Sequence, residues 1–225
     1  TSNYFIPNDN PWLDPNGSIL EEFYAIGLRN PHRMTLDSVT GRGWIGDVGE
    51  GTSEEVDLLV KGGNYQWAYL EGTYGGPKTK PNPLRGTDQP PVHEYTHTGF
   101  NAIIGGYVYR GTEHAADLYG KYLFADYGTG RLWAMNYDEV NPVTVTLLAN
   151  LPKTTPTTFG LDEHHEVYLA FEGTDTLYKL ARTGAPPPPP PALLSQTGVF
   201  TNLLSLAPNP ALVPYNVNSP LWTDG

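Results

Sequence analysis

The 225-residue sequence contains no cysteine and only 2 methionines. Without cysteine there is no disulfide framework, no thiolate-held zinc or iron–sulfur centre, and no thiol nucleophile. Positive charge is scarce. Thirteen Lys and Arg stand against 24 Asp and Glu, a net charge of −11. So acidic a chain lacks the basic face that nucleic acids require, and the one that anionic lipid attracts. No apolar run approaches the ~20 residues of a membrane-spanning helix. Helix signals are few: residues 20–24 and 114–119 are the two short candidates. The sequence also has no initiator Met and no leader-like start. We read it as a piece of a longer protein.

What is present points to an all-β protein. The chain holds 25 Gly and 22 Pro, and aromatics reach 12% against 16% charged residues. Disordered chains have the opposite balance, poor in aromatics and rich in charge. Short β-rich runs recur between turns: residues 34–36, 43–46, 55–60, 102–110, 121–126, 131–135, 143–148, 158–162, 167–170 and 176–180. Gly, Asn and Asp separate many of them at hairpin spacing.

Sandwiches, barrels and propellers all give such a pattern. A loose internal repeat favours a propeller. Leu36-Asp37, a polar turn and Gly43-Trp44-Ile45-Gly46 resemble Leu161-Asp162, a polar turn and Val167-Tyr168-Leu169-Ala170. The hairpin over residues 122–135 has a related form. At ~40–45 residues per four-stranded blade, residues 1–183 hold about four blades at most, so further blades are expected elsewhere in the protein. Pro186 to Pro191 form an unbroken proline run, a stiff extended spacer within a linker over residues 184–192. Residues 193–225 then read as the start of a second module, too short for an ordinary core.

Two stretches could carry chemistry. In Gly27-Leu28-Arg29-Asn30-Pro31-His32-Arg33, Pro31 keeps Asn30 out of the helical region. The segment is a turning loop that either projects Arg29 and Asn30 to a ligand or is held by its own side chains. Residues 46–57, GDVGEGTSEEVD, hold five acids and three glycines. This acidic, Gly-rich stretch can turn oxygens onto a hard cation such as Ca²⁺, or simply be a solvated turn. His93 and His97 are four apart, but Pro90-Pro91 deny them a helix and a zinc pair is disfavoured. No phosphate-binding loop or dinucleotide fingerprint is present.

Four ordered motifs resemble one family. They are Gly27-Leu28-Arg29-Asn30-Pro31, Gly46-Asp47-Val48-Gly49, Glu54-Glu55-Val56 and Lys61-Gly62-Gly63-Asn64-Tyr65-Gln66-Trp67. Over roughly residues 3–183 the chain resembles the glucose/sorbosone dehydrogenase family, the soluble aldose dehydrogenases that use pyrroloquinoline quinone (PQQ). Gly105-Gly106-Tyr107-Val108-Tyr109-Arg110-Gly111 and Gly120 to Asp126 are closest to its hedgehog-interacting-protein-like branch. The resemblance implies a six-bladed β-propeller of four-stranded antiparallel sheets, of which this chain would be the C-terminal part. It implies a PQQ-dependent sugar dehydrogenase, an exported oxidoreductase of the periplasm or secreted space. The alternative is a non-catalytic propeller that binds a glycan or protein partner.

By the same resemblance, Arg29 and Asn30 contact PQQ, and Arg29 stabilises charge on the quinone as it is reduced. The carbonyls of Gly49 and Glu50 would hold the cofactor Ca²⁺. Glu55 and Tyr65 would hold a structural Ca²⁺. Glu54 and Glu55 cannot both face one ion from a regular strand, and Glu55 is the one that matches. The sequence also departs from the family. In the family the catalytic His lies upstream of the stretch that corresponds to this sequence. Ala125-Asp126-Tyr127 stands where a cofactor-binding Lys is expected, and Thr157-Thr158 where an Arg pair is expected. Residues 194–200 and 214–222 resemble a module found downstream of such propellers. Some of those proteins carry a cytochrome c domain, which makes a cytochrome c a candidate electron acceptor.

Overall fold

The structure is a computed structural model that describes residues 5–12, 21–99, 101–151, 155–174, 176–181, 200–202, 205 and 207–208. The chain divides into two units, Thr1–Leu180 and Ala181–Gly225.

The first unit is almost entirely antiparallel sheet. Its first sheet begins with β1 (Pro31–Leu36), β2 (Gly43–Asp47) and β3 (Ser53–Leu58). The chain then leaves the sheet for an excursion over residues 59–92. Four two-residue strands mark the excursion: β4 (Gly63–Asn64), β5 (Leu70–Glu71), β6 (Tyr74–Gly75) and β7 (Thr87–Asp88). It returns as β8 (His93–Thr96) to complete the order β1-β2-β3-β8. The second sheet comprises β9 (Ile103–Val108), β10 (Tyr122–Asp126), β11 (Arg131–Asn136) and β12 (Thr144–Asn150), each beside its sequence neighbour. The third has β13 (Pro156–Leu161), β14 (Val167–Phe171) and β15 (Leu177–Lys179).

Successive sheets stand as blades, with the first strands β1, β9 and β13 packed in series. Glycine allows the closest approach. A Cβ on Gly46 would lie 2.9 Å from the Gly105 nitrogen, and one on Gly105 would lie 2.8 Å from the Arg33 carbonyl. Two apolar layers fill the spaces between sheets. Trp44, Val56, Ile103, Phe124 and Met135 join the first sheet to the second. Ile104, Leu123, Ala125, Phe159 and Leu169 join the second to the third. Each fully buried side chain of this size contributes roughly 1.5–3 kcal/mol.

The loose repeat has a physical basis. In the β1–β2 turn the Asp37 carboxylate accepts the Val39 and Thr40 amides, both at 3.3 Å. In the β13–β14 turn Asp162 Oδ1 accepts the His164 and Glu166 amides, both at 2.9 Å. In the β10–β11 turn Asp126 Oδ1 accepts the Thr129 amide at 2.7 Å. Each is an aspartate fixing its own hairpin.

Among the described residues the only α-helix is α1 (Ala115–Leu118), inside the 114–119 candidate. The other candidate is not helical: residues 21–24 form a turn. Two of its carbonyls are drawn across the chain instead of into an i+4 ladder, Glu21 to Asn10 Nδ2 at 2.7 Å and Tyr24 to the Gly62 amide at 2.9 Å. The acidic stretch 46–57 is likewise mostly strand. Only residues 48–52 form the loop, because the strand residues on either side of it bury their side chains.

In the second unit, β16 (Phe200–Asn202) pairs antiparallel with β17 (Ala207–Pro208). The proline run and most of residues 193–225 lie outside the described residues.

Candidate functional site

Asp47, the last residue of β2, organises the site. Burial raises its carboxyl above the usual range, yet it accepts the Arg29 amide at 2.8 Å and the Asn30 amide at 2.7 Å. Those two bonds fold the Gly27–Pro31 loop onto the end of β2. Arg29 reaches back so that Nη1 donates to the Val48 carbonyl at 3.0 Å. Its guanidinium lies 5.3 Å from the Trp67 ring centre, and its buried Nε has no partner. Asn30 is exposed.

The adjoining loop is pinned from inside. Glu71 Oε1 accepts four successive amides, those of Glu50, Gly51, Thr52 and Ser53, at 2.7–3.1 Å. Burial opposes its charge, but the four donors outweigh burial and hold its pKa down to about 2. With the amides turned inward, the Gly49 and Glu50 carbonyls carry no hydrogen bond from any described residue. Gly49 is required here: a Cβ would sit 1.8 Å from the Ser53 carbonyl and 2.7 Å from Glu71 Oε1.

Beneath the loop, one face of β3 carries a row of buried acids. Glu55 stands opposite Asp47 in register, and Asp57 stands opposite Ile45. The Glu55 carboxylate accepts the Gly72 amide at 2.7 Å. Burial, with Asp47, Glu94 and Glu71 nearby, pushes its pKa up to about 7. Asp57 is fully buried, and neither of its oxygens has a hydrogen-bond partner. Burial and the charges of Glu55 and Asp47 push its carboxyl well above the ordinary value.

Four of the six residues expected at the site are therefore assembled at one end of the first sheet: Arg29, Asn30, Gly49 and Glu50. Glu55 lies beside them on the inner face. Tyr65 does not join them through its hydroxyl. That group donates to the Leu58 carbonyl and accepts the Val60 amide at 3.0 Å, at the other end of β3. Burial first of all pushes its pKa up to about 12. Asp47 and Asp57 stood in the acidic stretch without a role of their own, and Glu71 was not singled out from the sequence. Glu71 acts on a loop about twenty residues upstream, and only the fold reveals that pairing.

The residues fit a cation in one way and not in another. Among the described residues, no three His, Asp or Glu side chains converge to hold a metal ion by themselves. The outward carbonyls and the close-fitting Gly49 suit a partly carbonyl, oxygen-only site, with Glu55 on the rung next to the loop and Asp57 two residues farther along β3. His97 is committed elsewhere: its Nε2 pairs with Glu54 at 2.6 Å. Where a cofactor Lys and an Arg pair were expected, the chain has structural groups. Asp126 is fully buried in its turn, and the Thr157 and Thr158 hydroxyls donate to carbonyls of Ala170 and Phe159. No described helix is long and apolar enough to cross a membrane.

Comparison with known proteins places this arrangement. The glucose/sorbosone dehydrogenase family model matches residues 2–151, which include every residue of the site. The chain is 37% identical to the HIPL2 protein of Arabidopsis thaliana over 145 residues, covering 59% of this chain and 20% of that protein. It is 31% identical to the aldose sugar dehydrogenase YliI of Escherichia coli over 90 residues, covering 38% of this chain and 24% of YliI. A crystal structure of glucose dehydrogenase superposes with a TM-score of 0.65 at 20% identity, over 79% of this chain and 52% of that one. The E. coli aldose sugar dehydrogenase apo-form superposes with a TM-score of 0.58 at 19% identity, over 74% and 48%. At such identities the two structures speak for the propeller fold alone. The chain thus spans about a fifth of its curated relatives and about half of its structural neighbours. With its motifs, its blades and two thirds of its length matched, the chain belongs to the glucose/sorbosone dehydrogenase family, on the side of the HIPL proteins.

Proposed function

We propose that this chain forms part of a quinoprotein sugar dehydrogenase that moves a hydride from the carbon bearing a sugar hydroxyl to PQQ, while a base takes the hydroxyl proton. The observation that carries the reading is the loop over residues 48–52. Its Glu50, Gly51 and Thr52 amides are turned onto Glu71, which leaves the Gly49 and Glu50 carbonyls for a cation beside Arg29 and Asn30. When bound, PQQ supplies a two-electron hydride acceptor and Ca²⁺ a Lewis acid. The chain's own groups hold and orient. Arg29, half-buried and with Nη1 on Val48, offers its guanidinium edge to a carboxylate or a developing oxyanion. Its stacking on Trp67 and its bond to Val48 fix the guanidinium in place. Burial holds the Glu55 and Asp57 carboxyls towards their protonated forms, and a divalent cation in the loop would favour their ionisation. The whole protein would act in the periplasm or outside the cell and pass electrons to an acceptor such as a cytochrome c.

One feature favours a second reading, a non-catalytic propeller that binds a glycan or protein partner. No cationic side chain stands at Asp126 or at Thr157-Thr158 to grip a tricarboxylate such as PQQ.

The test is reconstitution of the full-length protein with PQQ and Ca²⁺. Aldose-dependent dye reduction that needs both additions, and falls at least tenfold in Arg29→Ala, supports the dehydrogenase. Failure of PQQ to bind by absorbance titration, with the fold intact, supports the second reading.

A further inference from the structure

A second concavity opens at the same end of the blades as the loop over residues 48–52, but between the first and second sheets. It encloses about 300 Å³. That volume is at the small end for a ligand pocket and suits one pyranose ring with its substituents. Strand ends fix its location. Ser53, which begins β3, pairs with Thr96, which ends β8, and the His97 amide donates to the Thr52 carbonyl at 2.9 Å. The pocket wall is therefore continuous with the loop that carries the candidate cation site.

The lining is aromatic on one side and polar at the mouth. Tyr95 and Trp133 lie 5.4 Å apart between ring centres, and Trp133 stacks on Phe124 at 5.2 Å. These rings do not depend on a ligand for their order. The Tyr95 hydroxyl donates to Asp126 Oδ2 at 2.8 Å, which fixes its plane. Asn101 is fixed by the Thr98 amide at 2.9 Å and by Asp126 at 3.2 Å. One amide hydrogen of Asn101 remains unspent. Arg131, exposed at the rim, pairs with no described carboxylate. Asp126 is already filled by Tyr95, Asn101, Ala102 and Thr129, and Glu54, opposite Tyr95, by His97 and Ile103. Arg131 is thus the one side chain of fixed charge in the lining, at the rim, while the Asp126 and Glu54 carboxylates behind Tyr95 are buried and occupied. A rigid aromatic floor meets the C–H face of a sugar, and a free guanidinium at the edge matches a ring carboxylate in two-pronged geometry.

We propose that this cleft is a saccharide site specific for an acidic sugar, a hexuronate unit, with Trp133 and Tyr95 as its floor and Arg131 as its carboxylate anchor. The site does not require oxidation of the sugar it holds. It serves a dehydrogenase and a non-catalytic binder equally, so its test is independent of both readings above.

The experiment is calorimetric titration of the full chain, in the absence of PQQ and Ca²⁺, with a galacturonate disaccharide and with the neutral galactose disaccharide. Tryptophan fluorescence gives a second readout through Trp133. The acidic disaccharide is expected to bind at least tenfold more tightly than the neutral one. Arg131→Gln, at an exposed position, should abolish that preference with an unchanged circular dichroism spectrum, and Arg131→Lys should restore part of it. The proposal is overturned if the galacturonate disaccharide fails to bind at millimolar concentration. It is also overturned if both sugars bind alike, or if Arg131→Gln leaves the preference intact.

Discussion

Glu54 and Glu55 are neighbours in sequence and end on opposite faces of β3. Glu54 accepts the Ile103 amide at 2.8 Å and pairs with His97 at 2.6 Å, which ties the first blade to the second. Glu55 faces the other way and accepts the Gly72 amide, which ties the blade to its own excursion. One dipeptide thus serves a joint between blades and the acidic row below the candidate site.

The position of Glu55 sets a pH dependence. Its folded pKa of about 7 lies above the ordinary value of 4.5. A raised carboxyl favours folding below the unfolded value, and that advantage is lost as pH rises towards 7. The difference is about 3 kcal/mol if no cation compensates. In chelator the protein should therefore melt lower at pH 8 than at pH 5, and Ca²⁺ should narrow the gap. Glu55→Gln keeps an acceptor for Gly72 and removes the charge. It should make the profile in chelator shallower, leaving the part due to Asp57 and Asp47, and reduce the Ca²⁺ increment. Scanning calorimetry at the two pH values, with and without Ca²⁺, checks both.

Glu71 works in the opposite direction. Its depressed pKa contributes stability that is complete above about 4.5 and is lost as pH falls through about 2. Glu71→Gln retains the oxygen but not the charge that four amides share. We expect a loss of about 2–3 kcal/mol at pH 7 and a shallower acid transition, read from urea melts at pH 7 and pH 3.

Gly49→Ala should separate folding from ion binding. Its Cβ cannot coexist with the Ser53 carbonyl 1.8 Å away, so the loop must open. The sheets lie below the loop and should persist by circular dichroism. Ca²⁺ affinity by calorimetry should fall at least tenfold. An unchanged affinity would mean that the loop carbonyls are not ligands.

A fourth expectation concerns the joint between blades one and two. Arg110 Nε and Nη2 both donate to the Asp37 carboxylate, at 2.8 and 2.7 Å, with both side chains largely buried. This holds the Asp37 carboxyl well below its usual range, against the effect of burial. Arg110→Gln leaves that carboxylate without its cation and should cost about 3 kcal/mol. Removing both partners should cost less than the sum of the single losses, measurable in a double-mutant cycle.

Much of the fold was legible because its causes are local. Asp37, Asp126 and Asp162 each fix a hairpin within four residues of themselves. The helix expected at 20–24 was not realised because its carbonyls find partners in Asn10 and Gly62, which no local pattern announces. The site was legible only in its motif residues. Arg29, Asn30, Gly49 and Glu50 could be named from the sequence, but what holds them could not. Asp47 acts on amides 17 and 18 residues away, and Glu71 on amides 18 to 21 residues away. Tyr65 could be named as well, yet its hydroxyl is taken up by the turn that follows β3.

The excursion over residues 59–92 carries a further consequence. It resembles a disposable insertion between the third and fourth strands of a blade, the kind of surface segment an engineer would trim. Glu71 at its centre is the template on which the loop over residues 48–52 is cast. A chain shortened there could still close its blade, because β3 and β8 pair without help. It would emerge as a sound propeller blade with a blank face.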